Sequence, residues 1–405
     1  MSRVGVALTS LPFAGNFVRL HPTGRGRADH SPDPPMPVPL LDLLAQHETI
    51  KDDVLAAMHR VVESQAFILG DPVRELEGAV AELSQTRYAV GCASGTDALL
   101  LALKALDVGP GDEVITSPFT FFATAGTIHN VGATPVFVDI EPRTFNIAPE
   151  AVRAAVGPNT KAVVPVDLFG QMAPLEQIQA ATPGLPVIED AAQSIGARRR
   201  VSGQWRMAGE VATIGTFSFF PSKNLGGYGD GGMMVTQDEA LFKRLMRLRT
   251  HGSVRTYYHE EVGFNSRLDA LQAAVLHAKL PHLAGWSAAR RRNAAVYDAA
   301  LADVPEIVTP YVDPDNESIY NQYTLRVERR DELQAHLKAQ GIGAAVYYPL
   351  PLHLQPCFAY LGYEPGQCPV AEEAAGAVLS LPIYPELTAA QLDEVVGAVR
   401  AFYGR

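Results

Sequence analysis

Cysteine is scarce in this chain of 405 residues: Cys92, Cys357 and Cys368 are the whole complement. Three thiols so far apart make neither a disulfide framework nor a zinc-ligand spacing, so no metal is expected. They fit a reducing compartment, and the expected location is the cytoplasm. Positive charge is also short, with 33 Lys and Arg against 44 Asp and Glu. A net charge of -11 argues against nucleic acid or an anionic membrane as the main partner, though not against a locally basic pocket. No uninterrupted apolar run approaches the roughly 20 residues of a membrane-spanning helix. What remains, 47% apolar and 19% charged residues, is the composition expected of a soluble globular protein.

The first 35 residues stand apart. They carry Arg3, Arg19, Arg25 and Arg27, no acidic residue before Asp29, and end in "SPDPP". A transit peptide shares that bias, but Pro12 interrupts the apolar stretch and no A-x-A site follows. The expectation is a disordered extension over residues 1–36, with Met36 as the start of the folded protein. After it, Ile50, Val54, Met58 and Val61 recur at helical spacing, and "GDPVRELEGAVAEL" predicts a second helix with Asp71 as N-cap and Pro72 in its first turn.

The pattern then changes. Short apolar runs appear at "YAVGC", "EVITS", "TPVFVDI", "KAVVPVDL", "LPVIED", "ATIGTFSFF" and "GGMMVT", most of them separated by helix-like segments. Strands of this kind, alternating with helices, predict a mainly parallel sheet covered on both faces. Beyond about residue 250 the alternation weakens. "SRLDALQAAVLHAKL" predicts a helix with Leu268, Leu271 and Val275 on one face, and Thr388 with Gln391 predicts a capping box opening the last helix. The expected division is a large domain over 37–255 and a smaller α+β domain over 256–405.

Gly227, Gly229 and Gly232 fit the dinucleotide pattern G-x-G-x-x-G. That fingerprint needs a strand before it and a helix after it, whereas here "MMVT" follows as another strand. The glycines serve the neighbouring lysine better. Open parallel sheets bind ligands beyond the carboxyl ends of their strands, and four such loops carry chemistry. Ser94, Gly95 and Thr96 lead into a helix, whose free N–H groups attract phosphate, although a plain N-cap has the same residues. Phe121 follows the second strand and could stack on a planar ligand or fill a core. Asp190 ends an apolar strand and needs a partner: a pyridinium N–H, an arginine or a helix N-cap. Lys223 lies five residues beyond Ser218, as a Schiff-base amine or a solvated lysine. Taken together they match the phosphate, ring face, ring nitrogen and aldehyde of pyridoxal 5'-phosphate (PLP).

From about residue 37 onward the chain resembles the DegT/StrS family of PLP-dependent sugar-nucleotide aminotransferases. The resemblance is carried by "FILGDPVRELE", "SGTDALLLAL", "GDEVITSPFTFFATA", "VIEDAAQSIGA", "TFSFFPSKNLGGYGDGG", "GFNSRLDALQAAVL" and "LPIYPELT". It implies an α/β fold of the aspartate-aminotransferase-like class (PLP fold type I), with a mainly parallel seven-stranded sheet in the large domain. It also implies that Lys223 binds the cofactor covalently and moves the proton, and that Asp190 keeps the pyridine nitrogen protonated. Phe121 would stack on the ring, Gln193 would sit near its hydroxyl, and Gly95, Thr96 and Ser218 would hold the phosphate. Asn265 is similar to the residue that reaches the phosphate from a neighbouring subunit, which implies a homodimer. Arg267, Tyr347, Tyr348 and His353 fall in segments that contact the sugar or the donor acid. Many relatives have histidine where this chain has Tyr347.

The implied reaction moves the amino group of L-glutamate to a keto sugar carried on a nucleotide. Lys-Asn-Leu-Gly with Gly-Asp-Gly-Gly resembles relatives that aminate C3. The expected substrate is a UDP-linked 3-keto-2-acetamido-hexuronate, with Arg267 pairing its carboxylate, or a dTDP-linked 3-keto-6-deoxyhexose. Two other readings compete. Related sugar dehydratases have histidine in place of the lysine, so Lys223 favours transamination. A regulator built on this fold would add a DNA-binding element, and neither the short proline-rich N-terminus nor the charge supplies one.

Overall fold

The seven apolar runs become the strands of one sheet. In a computed structural model that describes residues 38–405, they are β1 (Tyr88–Cys92), β2 (Glu113–Thr116), β3 (Thr134–Phe137), β4 (Thr160–Val164), β5 (Ile188–Asp190), β6 (Ile214–Ser218) and β7 (Gly232–Thr236). The extension expected over residues 1–36 lies outside the described residues. One ladder has the order β3-β2-β4, another β5-β6-β7-β1. Parallel bridges Val163–Val187 and Val166–Asp190 join β4 to β5, completing the sheet of seven. Six strands share one direction, and β7 alone opposes its neighbours β6 and β1. The reason is local. β6 and β7 are joined by the lysine loop, which contains no crossover helix to bring the chain back for parallel pairing. That loop also leads into a strand, so the dinucleotide cradle is not built.

Helices cover the sheet. The first, α1 (Leu43–Ser64), is capped by Asp42, whose Oδ1 accepts from the Ala45 N–H at 2.9 Å. It buries Ile50, Val54, Ala57 and Val61, with Met58 only partly covered. The second, α2 (Asp71–Leu83), starts one residue earlier than expected. Gly70, at φ 86°, is its N-cap and Asp71 its first helical residue. A third, α3 (Gly95–Ala105), packs on β6 and β7 with Leu99, Leu101 and Leu103 buried.

The C-terminal part carries a three-stranded antiparallel sheet, in the order Ile307–Val308, Tyr323–Val327, Val378–Leu381. Its core takes in Leu333, Leu337, Val395 and Val399. The expected capping box is present: Gln391 N–H donates to Thr388 Oγ1 at 3.2 Å and Thr388 N–H to Gln391 Oε1 at 3.0 Å. Packing does not change at the expected boundary of 255/256. The helix Ala270–Lys279 lies on α1 and α2, and Leu268, Ala273 and Leu276 belong to the core of the large sheet. Val38, conversely, joins the C-terminal core and bridges Ile342. Apolar faces follow the nearest uncovered surface, not their order in the chain. Among the described residues, no helix is long and apolar enough to cross a membrane.

Candidate active site

At the carboxyl ends of β5 and β6 lies a cavity of about 470 Å³. Gly95, Thr96, Phe121, Asp190, Gln193, Ser218, Lys223, Tyr347 and Tyr348 all line it. Positions from Gly95 to Lys223 converge because each ends or follows a strand of the same sheet, whereas Tyr347 and Tyr348 come from the C-terminal part of the chain.

One end is made for an anion. Ser94 caps α3, its Oγ accepting from the Asp97 N–H at 3.1 Å. The first N–H groups of the helix, at Gly95 and Thr96, have no acceptor within the helix and lie at its positive end. Ser218 stands against them from the end of β6. A Cβ on Gly95 would come within 2.5 Å of the Ser218 Cβ and 2.8 Å of its Oγ, so only glycine permits this approach. The result is two backbone donors and a hydroxyl around one small space.

The cavity also holds a buried acid. Asp190 ends β5, and its Oδ2 accepts from Thr124 Oγ1 at 2.8 Å while Oδ1 accepts from the Ala192 N–H at 3.3 Å. Burial pushes its pKa above the usual range, and the two hydrogen bonds and the charge of Lys223 oppose that rise. Lys223 is partly buried at the cavity wall, and desolvation lowers its pKa to about 8 against the opposing pull of Asp190. Such an amine is neutral often enough near pH 8 to act as a nucleophile or base.

Phe121 also lines the cavity and is 59% exposed. Gln193 is fixed in the wall, with Oε1 accepting from the Phe169 N–H at 2.6 Å and Nε2 donating to Tyr348 Oη at 3.2 Å. Burial raises the pKa of both Tyr347 and Tyr348, which keeps their hydroxyls protonated.

Three expected residues are not at this cavity. His353 is only 1% exposed, with Nε2 3.1 Å from Glu372 Oε1 and its ring edge-on to Tyr363. It is a core histidine whose Nε2 is paired with a carboxylate while its Nδ1 is buried without a partner among the described residues, and it does not line this cavity. Asn265 is exposed and bridges Thr250, and Arg267 is partly buried outside the cavity. Neither lines the cavity. Conversely, Thr124, Ser222, Asp230 and Gln322 belong to the site and were not expected. Thr124 stands three residues after Phe121, in the first turn of the helix Ala123–Asn130 that Phe121 precedes.

The side chains present fit PLP. A donor-lined corner without room for a Cβ suits the phosphate, and a buried carboxylate in the same cavity suits a protonated ring nitrogen. Comparison with known proteins agrees. The model of the DegT/DnrJ/EryC1/StrS aminotransferase family matches residues 48–400. A protein of Geobacillus stearothermophilus named pleiotropic regulatory protein is 52% identical over 91% of this chain and 99% of its own length. The UDP-N-acetyl-3-dehydro-alpha-D-glucosamine 3-aminotransferase of Acidithiobacillus ferrooxidans is 46% identical, over 90% of this chain and 97% of that protein. For the UDP-2-acetamido-2-deoxy-3-oxo-D-glucuronate aminotransferase of Pseudomonas aeruginosa the identity is 45%, over 89% and 99%. The crystal structure of S. venezuelae DesV in complex with a ketimine intermediate superposes with a TM-score of 0.88 at 43% identity, covering 91% of this chain and 99% of that one.

Proposed function

The chain belongs to the DegT/DnrJ/EryC1/StrS aminotransferase family, and from that premise we propose that it aminates C3 of a nucleotide-linked 3-keto sugar at the expense of L-glutamate. It has the aspartate-aminotransferase-like fold and is a PLP-dependent aminotransferase. The observation that carries the reading is that Lys223, the buried Asp190 and the close Gly95–Ser218 contact line one cavity.

When bound, PLP supplies an electron-withdrawing ring and a carbonyl that takes up the amino group. The chain supplies the rest. Gly95, Thr96 and Ser218 would hold the phosphate. Asp190, steadied by Thr124, would keep a proton on the ring nitrogen, where a buried carboxylate is at its most effective. Phe121 and Tyr348 would cover the ring and keep out water. Lys223, with its pKa lowered to about 8, would hold the cofactor and then take and return the proton at the reacting carbon.

The substrate class follows from the relatives named for 3-keto UDP sugars. The favoured substrate is a UDP-linked 3-keto-2-acetamido-hexuronate. A dTDP-linked 3-keto-6-deoxyhexose is the alternative. The enzyme is a homodimer in this reading, with Asn265 and Arg267 presented to the partner's cavity, Asn265 toward the phosphate and Arg267 toward the uronate carboxylate. It works in the cytoplasm. One relative bears a regulator's name, but the same cavity here holds Lys223 and the buried Asp190, the groups that transamination uses. The test is NMR of the product formed from each keto sugar with L-glutamate and PLP. Amination at C4 would overturn the position, and turnover of the 6-deoxy substrate alone would overturn the uronate.

A further inference from the structure

One wall of the cavity comes from a loop with no role so far, Ile319–Gln322, which contributes Gln322. It is held from three sides. Asn224, directly after Lys223 and buried, donates from Nδ2 to the Ile319 carbonyl at 3.1 Å and accepts from Asn321 Nδ2 at 2.7 Å. Arg290, buried on the helix Leu283–Leu301, donates through Nη1 to the carbonyls of Tyr320 (3.0 Å), Asn321 (3.4 Å) and Ile383 (2.8 Å). Gly170, at φ +100°, accepts from the Ile319 N–H at 3.0 Å. A Cβ there would stand 2.8 Å from the Asn321 nitrogen and 2.9 Å from that of Tyr320.

Tyr320 itself adopts φ 44°, a left-handed conformation that an L residue keeps only where its surroundings enforce it. So many constraints on four residues are more than a surface connection needs. They fix the backbone that carries one side chain. Gln322 Oε1 is buried and has no hydrogen-bond partner among the described residues, and Gln322 lines this cavity as well as two smaller ones beside it. A buried carbonyl oxygen without a donor is costly, and a reactant bringing an N–H or O–H would relieve it.

We propose that Gln322 is a substrate-contacting residue that accepts a hydrogen bond from the reactant in the cavity, and that Asn224, Asn321 and Arg290 are positioning residues clamping its loop to the lysine loop. The ammonium of the amino donor and a hydroxyl of the sugar offer the same chemistry, a polarised N–H or O–H. The inference rests on the transamination reading for its choice of reactants. Asn224 neighbours Lys223 in sequence, so the clamp ties the reacting amine and the recognition amide to one rigid frame.

The test compares Gln322→Ala, Gln322→Glu, Asn224→Ala and the Asn224→Ala/Gln322→Ala double variant, all as PLP-bound enzyme. Two arms are read separately: conversion of the bound cofactor's visible absorbance by L-glutamate, and its recovery with the UDP- or dTDP-linked 3-keto sugar. Loss of one buried hydrogen bond corresponds to about a tenfold rise in KM, with kcat kept within about twofold. Gln322→Ala should show it in one arm, and that arm identifies the source of the N–H or O–H. Gln322→Glu, which keeps an acceptor, should recover most of it. Asn224→Ala should raise KM in the same arm and speed amide exchange of residues 319–322 about tenfold. The double variant should be no worse than Gln322→Ala alone. Unchanged KM in both arms overturns the role of Gln322, and unchanged exchange overturns the clamp. If the wild type converts none of the keto sugars, the proposed sugar class fails instead. The donor arm and the exchange data then decide this inference.

Discussion

Replacing Thr124 by valine removes one hydroxyl and keeps the shape of the side chain, which makes it a sharp probe of Asp190. The lost contact is the 2.8 Å hydrogen bond to Oδ2, the shorter of the two that hold the carboxylate. A hydrogen bond to a charged group contributes about 1.5–3 kcal/mol. At about 1.4 kcal/mol per decade, PLP affinity should fall by about tenfold to hundredfold. The pH dependence has a definite sign. Burial already raises the Asp190 pKa and the Thr124 bond opposes it, so its removal raises the pKa further. The acid limb of the glutamate half-reaction should move toward higher pH. Equilibrium dialysis of PLP and a pH series of the half-reaction rate measure both effects. Thr120→Val is the control, since Thr120 touches Thr124 at 3.1 Å and has no hydrogen bond to Asp190. An affinity within twofold of wild type and an unmoved acid limb would refute the role given to this contact.

Gly95→Ala should weaken PLP binding by at least about tenfold through its clash with Ser218 while leaving the apoprotein folded; dialysis and thermal melting separate the two. Glu189 and Asp167 are fully buried beside Asp190; desolvation raises both, Asp167 to about 6. Raised carboxyl pKa values contribute stability at low pH that is lost as pH climbs past the ordinary carboxylate range, so Glu189→Gln should gain melting temperature relative to wild type from pH 5 to pH 8. A flat difference across that range would show that Glu189 is not held protonated. For the shared site, mixing Lys223→Ala with a severely impaired Asn265 variant should restore part of the activity through hybrid dimers; no recovery despite demonstrated subunit exchange counts against it.

The sheet was legible because its strands are short, nearly continuous apolar runs, a pattern imposed by burial on both faces. Even the reversed strand is explained locally, by the missing crossover helix between Ser218 and Gly232. Asp190 and Lys223 were legible for a related reason: a carboxylate ending an apolar strand, or a lysine in a loop beyond one, calls for a partner. Thr124 and Gln322 were not. A threonine in a first helical turn and a glutamine in an irregular segment have many ordinary uses, and only the folded neighbourhood distinguishes these two. His353 failed in the opposite direction, its chemistry suggesting a site while Glu372 and Tyr363 enclose it in the core. Gly70 displaced Asp71 as the cap because its positive φ turns the chain into the helix, a preference that an aspartate cannot match as cheaply.

The central claim is that Lys223 transfers nitrogen from an amino acid to C3 of a nucleotide-linked keto sugar. Its most direct test is a single incubation of the PLP-bound enzyme with ¹⁵N-labelled L-glutamate and the UDP-linked 3-keto-2-acetamido-hexuronate, followed by NMR of the sugar. The predicted result is ¹⁵N bonded to C3, with no label transferred by Lys223→Ala, which also lacks the lysine-linked cofactor band before glutamate is added. Label reaching the sugar in Lys223→Ala, or an intact sugar without label from an active wild-type preparation, would contradict the account.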